Sequence, residues 1–156
     1  MASIRIVPAQ VTDVPVILGM IKALAEYEQL THEVTATEGD LRQSLFGPRP
    51  AGEVVLAYAG DAPIGFALFF HNFSTFLGQH GLYLEDLFVV PEWRGKGIYR
   101  ALTAARARFA LGEGVRYIHS DCSAMSRPIL ERSGLVAVTT STPYLWKREG
   151  VSSAGG

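Results

Sequence analysis

The chain has 156 residues, of which 48% are hydrophobic and 19% are charged, and its formal net charge is −1. This composition excludes a disordered protein, and the length is typical of one domain that can bury a core. The balanced charge argues against broad nucleic-acid binding, and no apolar run is long enough to cross a bilayer. We expect one domain over residues 1–149, then a flexible tail of small and polar residues at 150–156.

The first half of the chain alternates strand and helix patterns. Apolar spacings of three and four residues predict a first helix with Val14, Ile17, Ile21 and Leu24 on one face. Thr37 followed by Asp40 indicates a capping box at the start of a second helix, residues 37–46. Strands are predicted at 4–7, 53–59 and 64–71.

The second half contains a central strand at 82–89 and a helix that starts at Ile98. A strand at 117–120 follows, then a helix capped by Ser126 and ended by Gly134, and two last strands near 136–140 and 144–147. Antiparallel hairpins combined with helical crossovers predict an α/β (α+β) fold. Its mixed, mostly antiparallel central sheet would carry helices on both faces.

The loop between the central strand and the third helix has the features of an anion site. Gly95 and Gly97 lack a Cβ, so a ligand can approach the backbone there, at the start of a helix. Arg94, Lys96 and Arg100 surround these glycines with positive charge. The spacing fits neither a dinucleotide fingerprint nor a P-loop. A phosphate site and an ordinary solvated turn both remain open from these residues alone.

Glu85 and Asp86 lie within an otherwise apolar strand, where an unpaired charge is costly. A regular strand would point the two carboxylates to opposite faces, and a β-bulge would change that. A structural salt bridge at the sheet edge is the alternative to a functional role for Glu85. For Asp86 a structural role is equally open.

Metal and thiol chemistry have little support. His32, His71, His80 and His119 lack ligand spacing, so we expect no metal site. Cys122 is the single cysteine, which favours a reducing compartment and a cytoplasmic location. Around the second hairpin lies an aromatic group that predicts core and a homodimer surface, with an apolar wall for a substrate chain as the alternative. Its members are Phe66, Phe69, Phe70, Phe73 and Phe76.

Arg94-Gly-Lys-Gly97 resembles the acetyl-CoA loop of the GCN5-related N-acetyltransferases. The loop of that family ends in a small residue, where this chain has Tyr99. Ala25-Glu-Tyr-Glu28, Ile64-Gly-Phe-Ala67 and Tyr83-Leu-Glu-Asp-Leu-Phe-Val89 are similar to the spermidine/spermine and thialysine branch. That similarity covers about residues 4–110. The C-terminal stretches 126–134 and 140–146 are more similar to general members of the superfamily.

The resemblance implies the acyl-CoA N-acyltransferase fold, in which a parallel strand pair splays apart and the pantetheine arm of acetyl-CoA lies in the gap. The implied cofactor-binding residues are Leu87, Phe88, Val89, Arg94, Gly95, Lys96, Gly97, Ile98, Tyr99, Arg100 and Ser126. The implied reaction is direct acetyl transfer, in a ternary complex, to the primary amine of a polyamine, a diamine or a lysine-like amino acid.

The amine end of the reaction needs a group that removes a proton. We predict Glu85 as the catalytic residue, acting as base through a water or as counter-ion. The branch resemblance implies that Tyr27 and Glu28 line the substrate site and bind a second ammonium. Glu85 and Asp86 complete the predicted substrate-binding residues.

The chain departs from the branch at the proton donor. Members of the branch carry Asn and Tyr where this chain has Ser123 and Leu130, and leucine cannot protonate a thiolate. Ser126, Tyr144 and Cys122 are the candidate replacements, and a donor-free mechanism is a further possibility. The alternative functions are a non-catalytic CoA-binding module and acetylation of a different amine or of a protein N-terminus or lysine.

Overall fold

The computed structural model describes residues 3–142 and Tyr144. The strands are β1 (Ile4–Pro8), β2 (Glu53–Ala59), β3 (Ala62–Ser74), β4 (Gln79–Val89) and β5 (Ile118–His119). The helices are α1 (Val14–Tyr27), α2 (Glu38–Phe46), α3 (Ile98–Gly112) and α4 (Arg127–Arg132). Three short 3-10 turns lie at Val11–Asp13, Thr31–Glu33 and Pro91–Trp93. None of the helices in these ranges is long and apolar enough to cross a membrane.

The five strands form one mixed sheet in the order β1-β2-β3-β4-β5. The first three pairings are antiparallel, and β4 pairs with β5 in parallel. That parallel pairing covers only Leu82 with Ile118 and Tyr83 with His119. β4 continues to Val89, so the two strands separate beyond Tyr83, as the sequence resemblance implied. On the side of β4 that faces away from β3, the backbone beyond Tyr83 therefore has no partner strand among the described residues.

Helices cover both faces of the sheet, which confirms the predicted fold class. The α3-side core contains Phe69, Leu82 and Leu102, none of which is exposed. The α1-side core contains Ile17 and Phe66, which are also fully buried. Residues of β2 alternate between the two cores, since successive side chains of a strand point to opposite faces. Each face of the sheet is therefore packed against its own core.

The start of α2 has the predicted capping box. The Asp40 N–H donates to Thr37 Oγ1 at 3.2 Å, and the Thr37 N–H donates to Asp40 Oδ2 at 2.9 Å. Both hydrogen bonds satisfy backbone donors that a helix start leaves without partners. Pro15 lies in the first turn of α1, where its missing N–H removes no helical hydrogen bond.

β4 contains a bulge at Glu85. The register with β3 shifts there, because Leu68 pairs with Asp86 while Phe69 pairs with Leu84. Leu82, Leu84, Leu87 and Val89 consequently all contact the α3-side core, although a regular strand would divide them between two faces. Glu85 and Asp86 therefore lie at the bulge, where the alternation of side chains between the two faces of the sheet is interrupted.

Two predictions for the C-terminal part are wrong. Ser126 precedes α4 but makes no side-chain cap; the Ser126 N–H instead donates to Ser123 Oγ at 3.3 Å, and the Arg127 N–H donates to the Ser123 carbonyl at 3.0 Å. Residues 136–140 form no strand, and Val136 and Val138 are exposed. A β-prone sequence needs a neighbouring edge, and β5 has only two residues. The strand predicted at 144–147 and the tail predicted at 150–156 fall, apart from Tyr144, outside the described residues.

Candidate active site

A cavity of about 480 Å³ opens where the glycine loop meets the splayed strands. Gly95 and Gly97 both have positive φ values, 72° and 81°, which L side chains rarely adopt. An ideal Cβ at either position would lie in open space. The loop backbone is thus presented to the cavity, and Gly97 leads directly into α3. The open backbone, helix start and nearby arginines suit a phosphate-bearing ligand.

Arg94 is held at the mouth of this cavity by three contacts. Its Nε donates to the Val89 carbonyl at 3.0 Å, which ties the loop to the end of β4. Its guanidinium carbon lies 4.2 Å from the Tyr27 ring centroid and 5.5 Å from the Phe88 ring centroid. These contacts orient the guanidinium, because a cation is attracted to the face of an aromatic ring. Tyr27 also donates its hydroxyl to Met125 Sδ at 3.8 Å, which links α1 to the segment before α4.

A second, smaller cavity of about 110 Å³ borders the first and is acidic. Four carboxylate residues line it: Glu28, Glu85, Asp86 and Asp121. Ser120 lies at the point where β4 and β5 separate, and its Oγ donates to the Leu84 carbonyl at 3.3 Å. Such a concentration of carboxylates favours a cationic ligand. The two cavities share the residues Leu24, Glu28, Leu87, Tyr99, Ser123 and Ser126.

Asp86 has the most perturbed acid in the small cavity. Burial is the largest cause that raises the pKa of its carboxyl, the negative charges of Glu85 and Glu28 act in the same direction, and together they raise this pKa from 3.8 to about 6. Glu85 is exposed to the cavity, whereas Asp86 is half-buried. A carboxylate with a pKa near the working pH is a better base than an ordinary aspartate.

Tyr99 lines both cavities from the first turn of α3. The side chain is half-buried and packs against the α3-side core. Burial is the main cause that raises the pKa of its phenol, and the charge of Arg106 acts in the opposite direction. The bulky ring therefore lies at the junction between the basic and acidic cavities, at a position that the resemblance expects to be small.

The structure brings most of the predicted site residues together. Ten of the eleven predicted cofactor residues line the large cavity, and the exception is Lys96, whose Nζ lies 4.6 Å from the Trp93 ring centroid. Tyr27 and Glu28 line the large cavity, while Glu28, Glu85 and Asp86 line the small one. The catalytic and binding roles of these residues stay predictions.

Sequence reasoning missed several residues that line the cavities, namely Trp93, Ser120, Asp121, Met125 and Arg132. The signal for Asp121 was its position directly after a predicted strand beside the splayed edge. Met125 and Arg132 had no such signal, because their proximity to α1 and the glycine loop depends on how α4 packs.

The candidate proton donors occupy different places. Ser126 lines both cavities, and Cys122 lines the small one. Tyr144 is 93% exposed and lines neither cavity. Leu130 is 5% exposed and lines the small cavity, so the position that resembled the branch's tyrosine does face this space. In residues 3–142, no three His, Cys, Asp or Glu side chains cluster as metal ligands.

Residues 20–132 match the model of the acetyltransferase (GNAT) family. Thialysine N-epsilon-acetyltransferase of Mus musculus is 37% identical over 122 residues, which cover 73% of this chain and 71% of that protein. L-ornithine N5-acetyltransferase NATA1 of Arabidopsis thaliana is 31% identical, over 71% of this chain and 68% of that protein.

The fold has solved counterparts. An aminoglycoside acetyltransferase from an uncultured soil metagenomic sample, crystallised with sisomicin, superposes with a TM-score of 0.78. The superposition covers 94% of this chain and 97% of that one at 15% sequence identity. At this identity the likeness shows a common fold.

Proposed function

Because the chain belongs to the acetyltransferase (GNAT) family, it is an N-acetyltransferase that uses acetyl-CoA, and we propose that its acceptor is a small diamine-like amine. The observation that carries the choice of acceptor is the pair of adjoining cavities, one basic and one acidic, at the splayed edge of β4. Relatives named for thialysine and ornithine, both amino acids with a side-chain amine, support the same class.

At the cofactor end, the glycine loop would receive the pyrophosphate. The positive φ of Gly95 and Gly97 leaves their backbone free of side-chain atoms, and Arg100 adds charge at the start of α3. The pantetheine arm would lie against Leu87, Phe88 and Val89. The separation of β4 from β5 beyond Tyr83 supports this placement, since it leaves room for an extended chain beside β4.

At the acceptor end, the four carboxylates of the small cavity would hold a dication. Glu28 lies in both cavities and suits the second ammonium, while Glu85 suits the ammonium that reacts. Asp86 would accept the proton, which its raised pKa of about 6 supports. Glu85 would then act as counter-ion, one of the two roles predicted for it from the sequence.

The reaction would proceed by direct transfer in a ternary complex. Loss of a proton to Asp86, directly or through a water, gives the amine the lone pair with which it attacks the thioester carbonyl. The negative oxygen of the tetrahedral intermediate would be stabilised by backbone N–H groups of the splayed part of β4. The intermediate then releases the thiolate of coenzyme A, and the nitrogen loses its second proton to water, which leaves a neutral N-acetyl amide.

A panel of amines tests this proposal. Release of free thiol from acetyl-CoA would be measured with lysine analogues, ornithine, short diamines, polyamines, matched monoamines and a peptide with a free N-terminus. We expect diamines and diamino acids to have at least about tenfold higher kcat/KM than monoamines of equal length, because Glu28 binds the second charge. Preference for the peptide, or equal rates for monoamines and diamines, would contradict the proposed acceptor.

Three further properties belong to the proposal. We propose one domain over residues 1–149, a cytoplasmic location, which the single cysteine supports, and a homodimer. Phe73, Phe76 and Leu77, at the tip of the β3–β4 hairpin, are at least 62% exposed and support the dimer as an apolar surface. The buried Phe66 and Phe69, by contrast, belong to the two cores. Sedimentation of the protein with and without Phe76→Ser would test the dimer.

A further inference from the structure

We propose that Tyr99 is the catalytic acid that protonates the departing sulfur of coenzyme A. This assignment rests on the proposed function and adds a residue to it. Six described residues line both cavities, and among them only Tyr99 carries a phenol. The sulfur must pass between the basic cavity, where the cofactor would bind, and the acidic cavity, where the amine would bind. A residue at that junction touches the space where the carbon–sulfur bond breaks.

The other groups at the junction are poorer acids for this step. Ser123 and Ser126 have hydroxyls that are much weaker acids than a phenol. Glu28 is one of the four carboxylates of the small cavity, where its proposed role is to bind the second ammonium of the substrate and not to donate a proton. Leu130 shares the small cavity with Tyr99, so a phenol from α3 reaches the same space that a side chain at position 130 faces.

Arg106 supplies a second, independent observation. It lies two turns after Tyr99 on α3, is completely buried, and none of its three guanidinium nitrogens has a hydrogen-bond partner among the described residues. A buried cation without a partner is costly and calls for a nearby negative charge. Its charge favours the ionised form of the Tyr99 phenol, and an ionised phenol in turn favours the charged form of Arg106. Burial is the larger cause and raises the pKa of the Tyr99 phenol, and the charge of Arg106 partly offsets this cost for the phenolate left after proton transfer.

The proton and electron balance is complete. When the tetrahedral intermediate collapses, the carbon–sulfur bond breaks and its electron pair stays on sulfur. The Tyr99 O–H proton moves to that sulfur and gives the free thiol of coenzyme A. The nitrogen of the new amide loses its second proton to solvent, the phenolate takes a proton from solvent, and the proton accepted by Asp86 returns to solvent. Both groups are thus restored, and one proton is released overall for an amine that enters as its ammonium. No oxidant, metal or further reactant is needed.

Other titratable groups face the same region from each surrounding element. Glu28 comes from α1, Glu85 and Asp86 from β4, and Asp121 and Cys122 from the segment after β5. Arg94, Arg100 and Arg132 line the large cavity. Because several titratable groups share this region, the alkaline limb of the rate is assigned to Tyr99 by substitution of this residue and of Arg106.

The decisive experiment compares Tyr99→Phe with the wild type at saturating amine. We expect kcat to fall on the order of 10²-fold, the dissociation constant of acetyl-CoA to change by less than about threefold, and the alkaline limb of the kcat profile to disappear. Tyr58→Phe is the matched control. Its hydroxyl contacts Asp13 at 3.3 Å, away from both cavities, and kcat should stay unchanged. A Tyr99→Phe enzyme with wild-type kcat would overturn the proposal.

Two further measurements separate the possible failures. Arg106→Leu should move the alkaline limb to higher pH, because the phenol loses a favourable charge. An unmoved limb, or a variant that does not fold, would remove Arg106 from the proposal. If the wild type binds acetyl-CoA but acetylates no amine of the panel, the proposed acceptor fails and the role of Tyr99 fails with it. If the wild type is active and Tyr99→Phe is equally active, only the role of Tyr99 fails.

Discussion

Asp86→Asn should make the protein more stable at neutral pH and less active. The wild-type carboxyl ionises against burial and against the charges of Glu85 and Glu28, so its pKa rises from 3.8 to about 6. At 1.36 kcal/mol per pH unit, this rise corresponds to roughly 3 kcal/mol of destabilisation once the group is fully ionised. Since the side chain is partly exposed, solvent screening reduces the expected gain for Asn to about 1–3 kcal/mol.

The pH dependence of this gain has a definite sign. Between pH 3.8 and about 6 the folded protein holds more protons at Asp86 than the unfolded chain does, so this group makes stability fall as pH rises through that window. Above about pH 6 the cost is complete and constant. The advantage of Asp86→Asn should therefore be largest above pH 6, and should vanish below pH 3.8, where both states are protonated.

Urea unfolding at a series of pH values measures both the size and the window. For a chain of this length, 1 kcal/mol corresponds to about 2–4 °C in Tm, so thermal melts give a second reading. Asp61→Asn is the control, because its carboxylate is fully exposed and lies 3.8 Å from Arg5. If Asp86→Asn were no more stable than wild type at pH 7.5, or if its advantage were the same at pH 4, the electrostatic reasoning would be refuted.

Three other substitutions test the site. Glu85→Gln should lower turnover and raise the KM for the amine, while the acetyl-CoA affinity stays constant. A loss of about 10²-fold or more in kcat would make Glu85 the base instead of Asp86. Gly97→Val should weaken acetyl-CoA binding at least about tenfold, because a φ of 81° strains a β-branched residue by roughly 1–3 kcal/mol. Calorimetry measures the affinity, and Gly112→Ala is the control, because a Cβ at position 112 meets nothing within 4 Å. Leu130→Tyr should lower the free energy of unfolding by roughly 1–3 kcal/mol without raising turnover, because Leu130 is 5% exposed and the larger ring overpacks the site. A faster enzyme with an unchanged Tm would contradict this prediction.

The sequence by itself determined the order of elements as far as α4 and the position of the glycine loop that contains Gly95 and Gly97. Hydrophobic spacing predicted α1, and the Thr37–Asp40 pair predicted the start of α2, because these signals depend on neighbours three or four residues away. The glycine loop could be identified for a similar reason. A ligand that binds backbone needs residues without side chains at consecutive local positions, and such a pattern is visible in one dimension.

Only the tertiary structure decided which side chains share a cavity. The bulge at Glu85 changes which side chains in the second half of β4 point toward α3, and the bulge depends on the register between β4 and β3. The raised pKa of Asp86 arises from burial and from charges on α1 and β4, which are distant in sequence. The position of Tyr99 between the two cavities and the buried charge of Arg106 have the same origin. Burial and electrostatic coupling act through space, so a local pattern reports which groups are present but not which of them meet.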